Sequence, residues 1–451
     1  MEADATPTRK RQRLATGLVA DLSELTPRAS SRTISHSARS GAAGLSSQSK
    51  STTSGSRSEA SSRSLSPKKQ LANLSLSDDG LDVRALDIDT APEAAADLLY
   101  ILQNVQNGAG IIPATRRDNI LGSIASVAAG GLSSAKDPAQ IWKHSFKAPG
   151  EPDTLPGRIP TWEEVSHIRD MAMHCQNVDQ DELGWNMEVH QLILSSVFRR
   201  PQSARALPNS PLNFAPCTTA RVSQEFLPRY VSGKMVDFCL YYEINTHDND
   251  DNEEEQRLRG QDQQHVLRVL SREMPTLTVN HTDFNPVRLN PILLSIETKK
   301  HGKEQERANL QMAVWLAAQW TSLQRVALIS IRASRRRNVS THGPNEMTLR
   351  ETPSAQEQID MANLAELRAR ELPFLPGIIV QGHKWSLVLS TREGERTALW
   401  TEWEFGNTQS LQNTYKVVAG LREIAAWTRD NYLPWWRRNV LGGLVGEHEN
   451  S

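Results

Sequence analysis

Asp237, Glu297 and Lys299 stand at spacings that suit phosphodiester hydrolysis, with Glu188 upstream as a fourth candidate. The run Lys234-Met235-Val236-Asp237-Phe238-Cys239-Leu240-Tyr241-Tyr242 reads as a buried strand with one acid set into it. Pro291-Ile292-Leu293-Leu294-Ser295-Ile296-Glu297-Thr298-Lys299-Lys300 reads as a second strand ending in Glu-x-Lys. Side chains alternate along a strand, so Glu297 and Lys299 emerge on one face about 7 Å apart. An acid and a lysine on one edge, beside a second acid, can hold a divalent cation and polarise water.

Glu-x-Lys alone is most simply a surface ion pair. Embedding it at the end of an apolar strand changes the balance, because a buried unpaired charge is costly and needs a partner or a metal. Asp237 and Glu297 are therefore assigned as primary metal ligands, and hard carboxylate oxygens favour Mg²⁺ or Mn²⁺ over zinc. Lys299 is expected to orient the attacking water or help deprotonate it, a role that a depressed lysine pKa would serve. Glu188, on a helix predicted from Trp185 to Phe198, is expected to reach in as an outer or second-metal ligand. The opposing reading is a charge network left in a fold that has lost its activity.

The elements that must position these residues follow from hydrophobic period. Strands are expected at Thr218 to Phe226, Met235 to Glu243 and Ile292 to Lys299, a helix at Gln305 to Gln324, and a short apolar strand at Val326 to Ile331. Ile378 to Leu389 and Thr397 to Phe405 read as added strands, and Ser410 to Trp427 as a closing helix. Upstream, helices are expected from Ala94 to Val105 and from Thr161 through Cys175. The expected class is α/β, with an α-β-β-β-α-β core, a mixed sheet flanked by helices, and a helical N-terminal region.

The chain resembles the PD-(D/E)XK nuclease-like family found in filamentous fungi, part of the restriction-endonuclease-like superfamily. The likeness rests on Val236-Asp237, Ser295-Ile296-Glu297-Thr298-Lys299, Leu310-Gln311-Met312-Ala313-Val314-Trp315 and the turn Gly108-Ala109-Gly110-Ile111-Ile112-Pro113. It covers roughly residue 85 to the C-terminus, with Val236 where the family's name puts proline. The resemblance implies that the Thr298 carbonyl adds a backbone ligand and that Gln311 orients the site. It also implies a metal-dependent nuclease, DNA being favoured over RNA; many such enzymes cut as dimers, which makes a homodimer one candidate assembly and leaves the oligomeric state open. The alternative is a catalytically inactive nuclease-like domain serving as a nucleic-acid-binding or protein-interaction module in the nucleus.

Composition sets the bounds. The 451 residues divide into an expected disordered Ser-rich tail (1–80), a helical region (81–180) and the nuclease-like domain (181–440). A net charge of −1 provides no global basic field, so any nucleic-acid surface must be local. Three scattered cysteines, Cys175, Cys217 and Cys239, suit reduced thiols in an intracellular protein. No apolar run approaches the roughly 18 residues of a membrane span, so no membrane contact is expected. The cluster Pro7-Thr8-Arg9-Lys10-Arg11-Gln12-Arg13-Leu14 predicts a nuclear import receptor as partner and the nucleus as destination.

Substrate contact is assigned to Arg332, Arg335, Arg336 and Arg337, whose guanidinium groups could grip phosphates. Trp435-Trp436 reads as packing for the chain end rather than a base-stacking platform. Asp248, Asp250 and Asn252 open like a calcium loop, but Glu253 and Arg259 break the pattern, leaving a solvated charged insertion. Ser66-Pro67 is a candidate phosphosite.

Overall fold

The structure is a computed structural model that describes residues 65–77, 80–129, 138–208, 210–229, 231–243, 253–302, 304–340 and 353–444. The basic cluster at 7–14 and residues 247–252 of the charged insertion lie outside the described residues.

Seven strands form one mixed sheet in the order β1-β7-β6-β5-β4-β3-β2. They are β1 (Leu81–Ala85), β2 (Leu212–Pro216), β3 (Phe238–Tyr242), β4 (Ile292–Lys299), β5 (Leu375–Gln381), β6 (Lys384–Glu393) and β7 (Arg396–Asn407). Strands β2, β3 and β4 run antiparallel in succession, and β4 pairs parallel with β5. Every residue of β4 is buried, and because alternate residues face opposite ways, both faces of that strand are covered.

Helices α1 (Pro67–Ser75), α2 (Ala96–Gln106), α3 (Arg117–Ala129), α4 (Pro138–Ile141), α5 (Trp162–Asn177), α6 (Glu182–Trp185) and α7 (Gln191–Phe198) precede most of the sheet. Then come α8 (Glu253–Glu273), α9 (Gln305–Ser340), α10 (Ala355–Arg370), α11 (Leu411–Trp427) and α12 (Leu433–Trp436). The helix expected from Thr161 is α5, held by a capping box in which Thr161 and Glu164 satisfy each other's backbone N–H. The predicted closing helix is α11, and Trp435 and Trp436 are buried as expected, at 2 % and 3 % exposure.

Four expectations need correction. The first of the three antiparallel core strands is β2, not Thr218 to Phe226, which forms turns and a single 3-10 turn at Gln224–Phe226. Val326 to Ile331 is not a strand but the middle of α9, a 36-residue helix. A continuous apolar run marks burial without marking period, and this one is buried because α9 lies between the sheet and other helices. The strand that returns parallel to β4 is instead β5. Ile378 to Leu389 is two strands, turned by Gly382-His383, where Gly382 at φ 55 supplies the positive dihedral a two-residue hairpin needs.

Order also begins earlier than expected. Helix α1 lies inside the stretch predicted to be disordered to residue 80, and Ser66 caps it by accepting from Lys69 N. Leu74 of α1 is buried, which is what anchors it, and β1 adds a strand to the region read as helical.

Helix α9 presses close on the sheet. Trp315 Nε1 donates to Ser295 Oγ on β4 at 2.8 Å, and Trp320 Nε1 donates to Ser390 Oγ on β6 at 3.1 Å. A Cβ on Gly377 of β5 would stand 3.0 Å from both Met312 Sδ and Val388 Cγ2. Any larger residue there would have to push the Met312 and Val388 side chains aside.

Candidate active site

The acids meet at the C-terminal end of β4. Asp237 directly precedes β3, whose first residue Phe238 pairs with Ile296 of β4. The Asp237 N–H also donates to Ile296 O at 3.0 Å, which holds Asp237 beside the end of β4 that carries Glu297. Asp237, Glu297 and Lys299 are 8 %, 0 % and 3 % exposed. Two neighbouring strands thus deliver two carboxylates and an ammonium group into one buried place.

Each group is held differently. Asp237 Oδ2 accepts from the Thr298 N–H at 2.8 Å, and Thr298 Oγ1 stands 2.9 Å from it. Asp237 Oδ1 accepts from Asn186 Nδ2 at 3.1 Å. Lys299 Nζ sits among oxygens: Glu297 Oε1 at 2.5 Å, the Thr298 carbonyl at 2.6 Å, and both carboxylate oxygens of Glu182 at 3.3 Å. Glu297 Oε2 is buried with no hydrogen-bond partner.

The electrostatics follow from this crowding. Burial first, then the Asp237 charge, pushes the Glu297 carboxyl well above the usual range, against the opposing pull of Lys299. Glu182 is raised too, mainly by burial, with Asp237 adding to it. For Lys299, burial favours the neutral form, but Glu297, Glu182 and Asp237 outweigh it and hold the ammonium above its ordinary value. This overturns the expected depressed lysine. In this setting Lys299 is a fixed cation, suited to donating hydrogen bonds rather than taking a proton.

Glu188 is not in this cluster. Its Oε2 accepts from Cys175 Sγ at 3.5 Å, and that thiol is pushed up to about 11 by burial and by Glu188 itself. The reason is helical geometry. Glu182, Asn186 and His190 recur every four residues, and all three face the site. Glu188, two positions past Asn186, points roughly 200° around the axis. Residues Asn186–His190 form a π-helical turn between α6 and α7, a feature that recurs at functional sites.

Glu182 and Asn186 were therefore missed by sequence reasoning. The signal was a polar side chain at every fourth position, Glu182-Asn186-His190, along one face. Asn186 Oδ1 also lies 2.8 Å from Thr298 Oγ1 and 2.9 Å from His190 Nδ1. His190 Nε2 reaches the Gly382 carbonyl at 3.2 Å. Burial pulls His190 down to about 4, so the ring is neutral at neutral pH. The Gly382 N–H in turn donates to Lys299 O at 2.9 Å, tying the hairpin tip to the end of β4.

Gln311, on the second turn of α9, donates from Nε2 to Met235 O at 3.2 Å, two residues before Asp237. Its Oε1 is buried without a partner. The four arginines are elsewhere. Arg332 stands roughly 30 Å beyond Gln311 along α9 at 1.5 Å per residue. Arg335 pairs with Glu357 of α10, and Arg337 donates to the Gly443 carbonyl. The structure does not bring these arginines together with the acids.

Could this set hold a divalent cation? Among the described residues, no three His, Cys, Asp or Glu side chains form a metal-binding group. The donors present are nevertheless hard: the carboxylates of Asp237 and Glu297, with Glu297 Oε2 buried and lacking a hydrogen-bond partner. That fits an ion such as Mg²⁺, which keeps several waters and takes only one or two carboxylates from the protein.

A helix followed by three antiparallel strands, a crossover helix and a parallel strand, with an acid beside Glu-x-Lys, defines the restriction-endonuclease-like class. A family model described as the PD-(D/E)XK nuclease superfamily matches residues 132–433, and the chain belongs to that superfamily. No curated protein and no solved structure matches it. No described helix is long and apolar enough to cross a membrane.

Proposed function

We propose that this chain is a divalent-cation-dependent phosphodiester hydrolase that acts on nucleic acid, DNA before RNA. The observation that carries the reading is the buried convergence of Asp237, Glu297 and Lys299, with Glu297 Oε2 left unpartnered. Three carboxylates, Asp237, Glu297 and Glu182, surround a single ammonium, so the pocket has spare negative charge when all are ionised. Asp237 and Glu297 would hold Mg²⁺ or Mn²⁺. Such a cation neutralises phosphate charge and makes a water more acidic.

The chain's own residues do the rest. Asn186 and Thr298 fix the Asp237 carboxylate, so its donor direction is set before substrate arrives. Lys299, held cationic by its acid neighbours, places N–H donors where charge grows on the phosphoryl oxygens. Glu182 restrains the Lys299 ammonium from the solvent side, its side chain being 38 % exposed. Gln311 steadies the strand segment leading into Asp237.

The test is hydrolysis of plasmid and linear DNA with Mg²⁺, Mn²⁺ or chelator. Activity that needs the cation and is lost in Glu297→Ala and Lys299→Ala is expected. Robust cleavage by the double variant would defeat the assignment.

A second reading has its own support. Lys299 Nζ already occupies Glu297 Oε1 and the Thr298 carbonyl, two oxygens a cation would seek. A catalytically silent domain that binds nucleic acid or protein would keep that closed arrangement. It would show no Mn²⁺ affinity dependent on Asp237 and Glu297. For either reading, residues 7–14 support nuclear import, which a fluorescent fusion with Arg9, Lys10, Arg11 and Arg13 neutralised would lose.

A further inference from the structure

If the arginines at the far end of α9 are remote from the acids, a phosphate must be gripped by something nearer. Lys234 precedes the acid strand, in the segment that Gln311 holds through Met235 O. Arg307 lies four residues before Gln311 on α9, so the two share a helix face one turn apart. The same contact therefore brings Arg307 toward Lys234. Arg307 acts electrostatically on both Lys234 and Glu182, so it lies near Lys234 on one side and the acid pocket's Glu182 on the other.

Neither cation is strongly engaged. Lys234 is half-buried, and its described partner is the hydroxyl of Ser232 at 3.2 Å, not a carboxylate. Arg307 pairs with Glu304 at 3.2 Å, with 56 % of its side chain and 47 % of the acid's exposed. Such a pair contributes little and yields readily to a better anion. Two like charges held side by side, one partly desolvated, favour an anion between them.

We propose that Lys234 and Arg307 form the seat for a backbone phosphate of a nucleic-acid strand whose neighbouring phosphodiester enters the Asp237–Glu297–Lys299 pocket. This rests on the hydrolase reading for its substrate class, but the binding it describes needs no cleavage. The seat grips backbone, not bases, so it confers affinity and register without sequence preference.

The experiment is fluorescence anisotropy of a labelled short DNA duplex against salt, in chelator, for the full chain. Each phosphate contact contributes a slope of about 0.9 in log affinity against log salt. The Lys234→Gln, Arg307→Gln pair empties the seat of its one phosphate and should therefore flatten the slope by roughly 0.9 relative to the unaltered chain. Lys234→Arg with Arg307→Lys, which keeps both charges, should restore it. Arg268→Gln with Arg272→Gln, removing equal charge from α8, should leave it alone.

An unchanged slope in the first pair, or loss of slope in an Arg332→Gln, Arg336→Gln pair instead, overturns the seat. Cleavage with Mn²⁺ at unaltered KM in the first pair sinks the seat and leaves the hydrolase reading intact. A flattened slope in a chain that cleaves nothing does the reverse.

Discussion

The two ends of α9 carry charge in opposite ways. Near its start, Gln311 braces a pocket where Glu297 and Lys299 are almost wholly buried. Near its finish, Arg335 and Arg337 reach a half-exposed glutamate and a backbone carbonyl. In the linear chain the second region is the more conspicuous, because four arginines fall within six positions. Yet clustered charge in contact with water is easily satisfied, whereas an acid in a strand with every residue buried must be compensated by its fold. Burial, not local charge density, distinguishes the chemistry-bearing end.

The largest expected contrast is in turnover. Glu297→Ala or Lys299→Ala should lower DNA hydrolysis by at least about a thousandfold. Arg335→Gln with Arg336→Gln should alter it by no more than about twofold, and a large loss in that pair would erase the distinction. Stability comes next. Glu297→Ala takes from Lys299 its one wholly buried ion-pair partner, leaving the half-exposed Glu182 and the charge of Asp237, and should cost about 3–5 kcal/mol by urea unfolding. Arg335→Ala should produce no resolvable shift in the same assay.

Asn186→Ala sharpens the comparison on the acid side, since it removes a donor from Asp237 and an acceptor from Thr298. A weakening of Mn²⁺ affinity by roughly tenfold to a hundredfold is expected from a titration, with folding intact. The smallest effect is in pH. The folded chain keeps a proton on Glu297 above the ordinary value of 4.5, where the unfolded chain has released it. That group's contribution therefore declines as pH rises from near 4.5 through the raised folded value. In chelator, the urea midpoint of the unaltered chain should fall more steeply over that range than the midpoint of Glu297→Gln. Equal slopes would show that Glu297 ionises freely in the folded state.

The acid-bearing strands were legible because their information is local: an apolar run, an embedded carboxylate, and alternation that sets Glu297 and Lys299 on one face. The third acid was not. Choosing Glu182 over Glu188 requires knowing where α6 begins and that Asn186–His190 widens into a π-turn, and neither is written in hydrophobic period. Val326 to Ile331 misled for the opposite reason, since a helix covered on every side loses the polar stripe that reveals its period. Strand β1 is five residues long and pairs parallel with β7, more than three hundred positions away, a partnership no short window contains.

The π-turn has one more consequence. It lodges one surplus residue between α6 and α7, near Met187, whose side chain is 63 % exposed and packs little. Without that residue the segment could wind as one regular helix, swinging everything before it by about 100° relative to α7. Glu182 would then leave the Lys299 ammonium, although no charged group had been altered. The pocket's third carboxylate is in this sense an outcome of winding number, set by the π-turn and not by any change of charge.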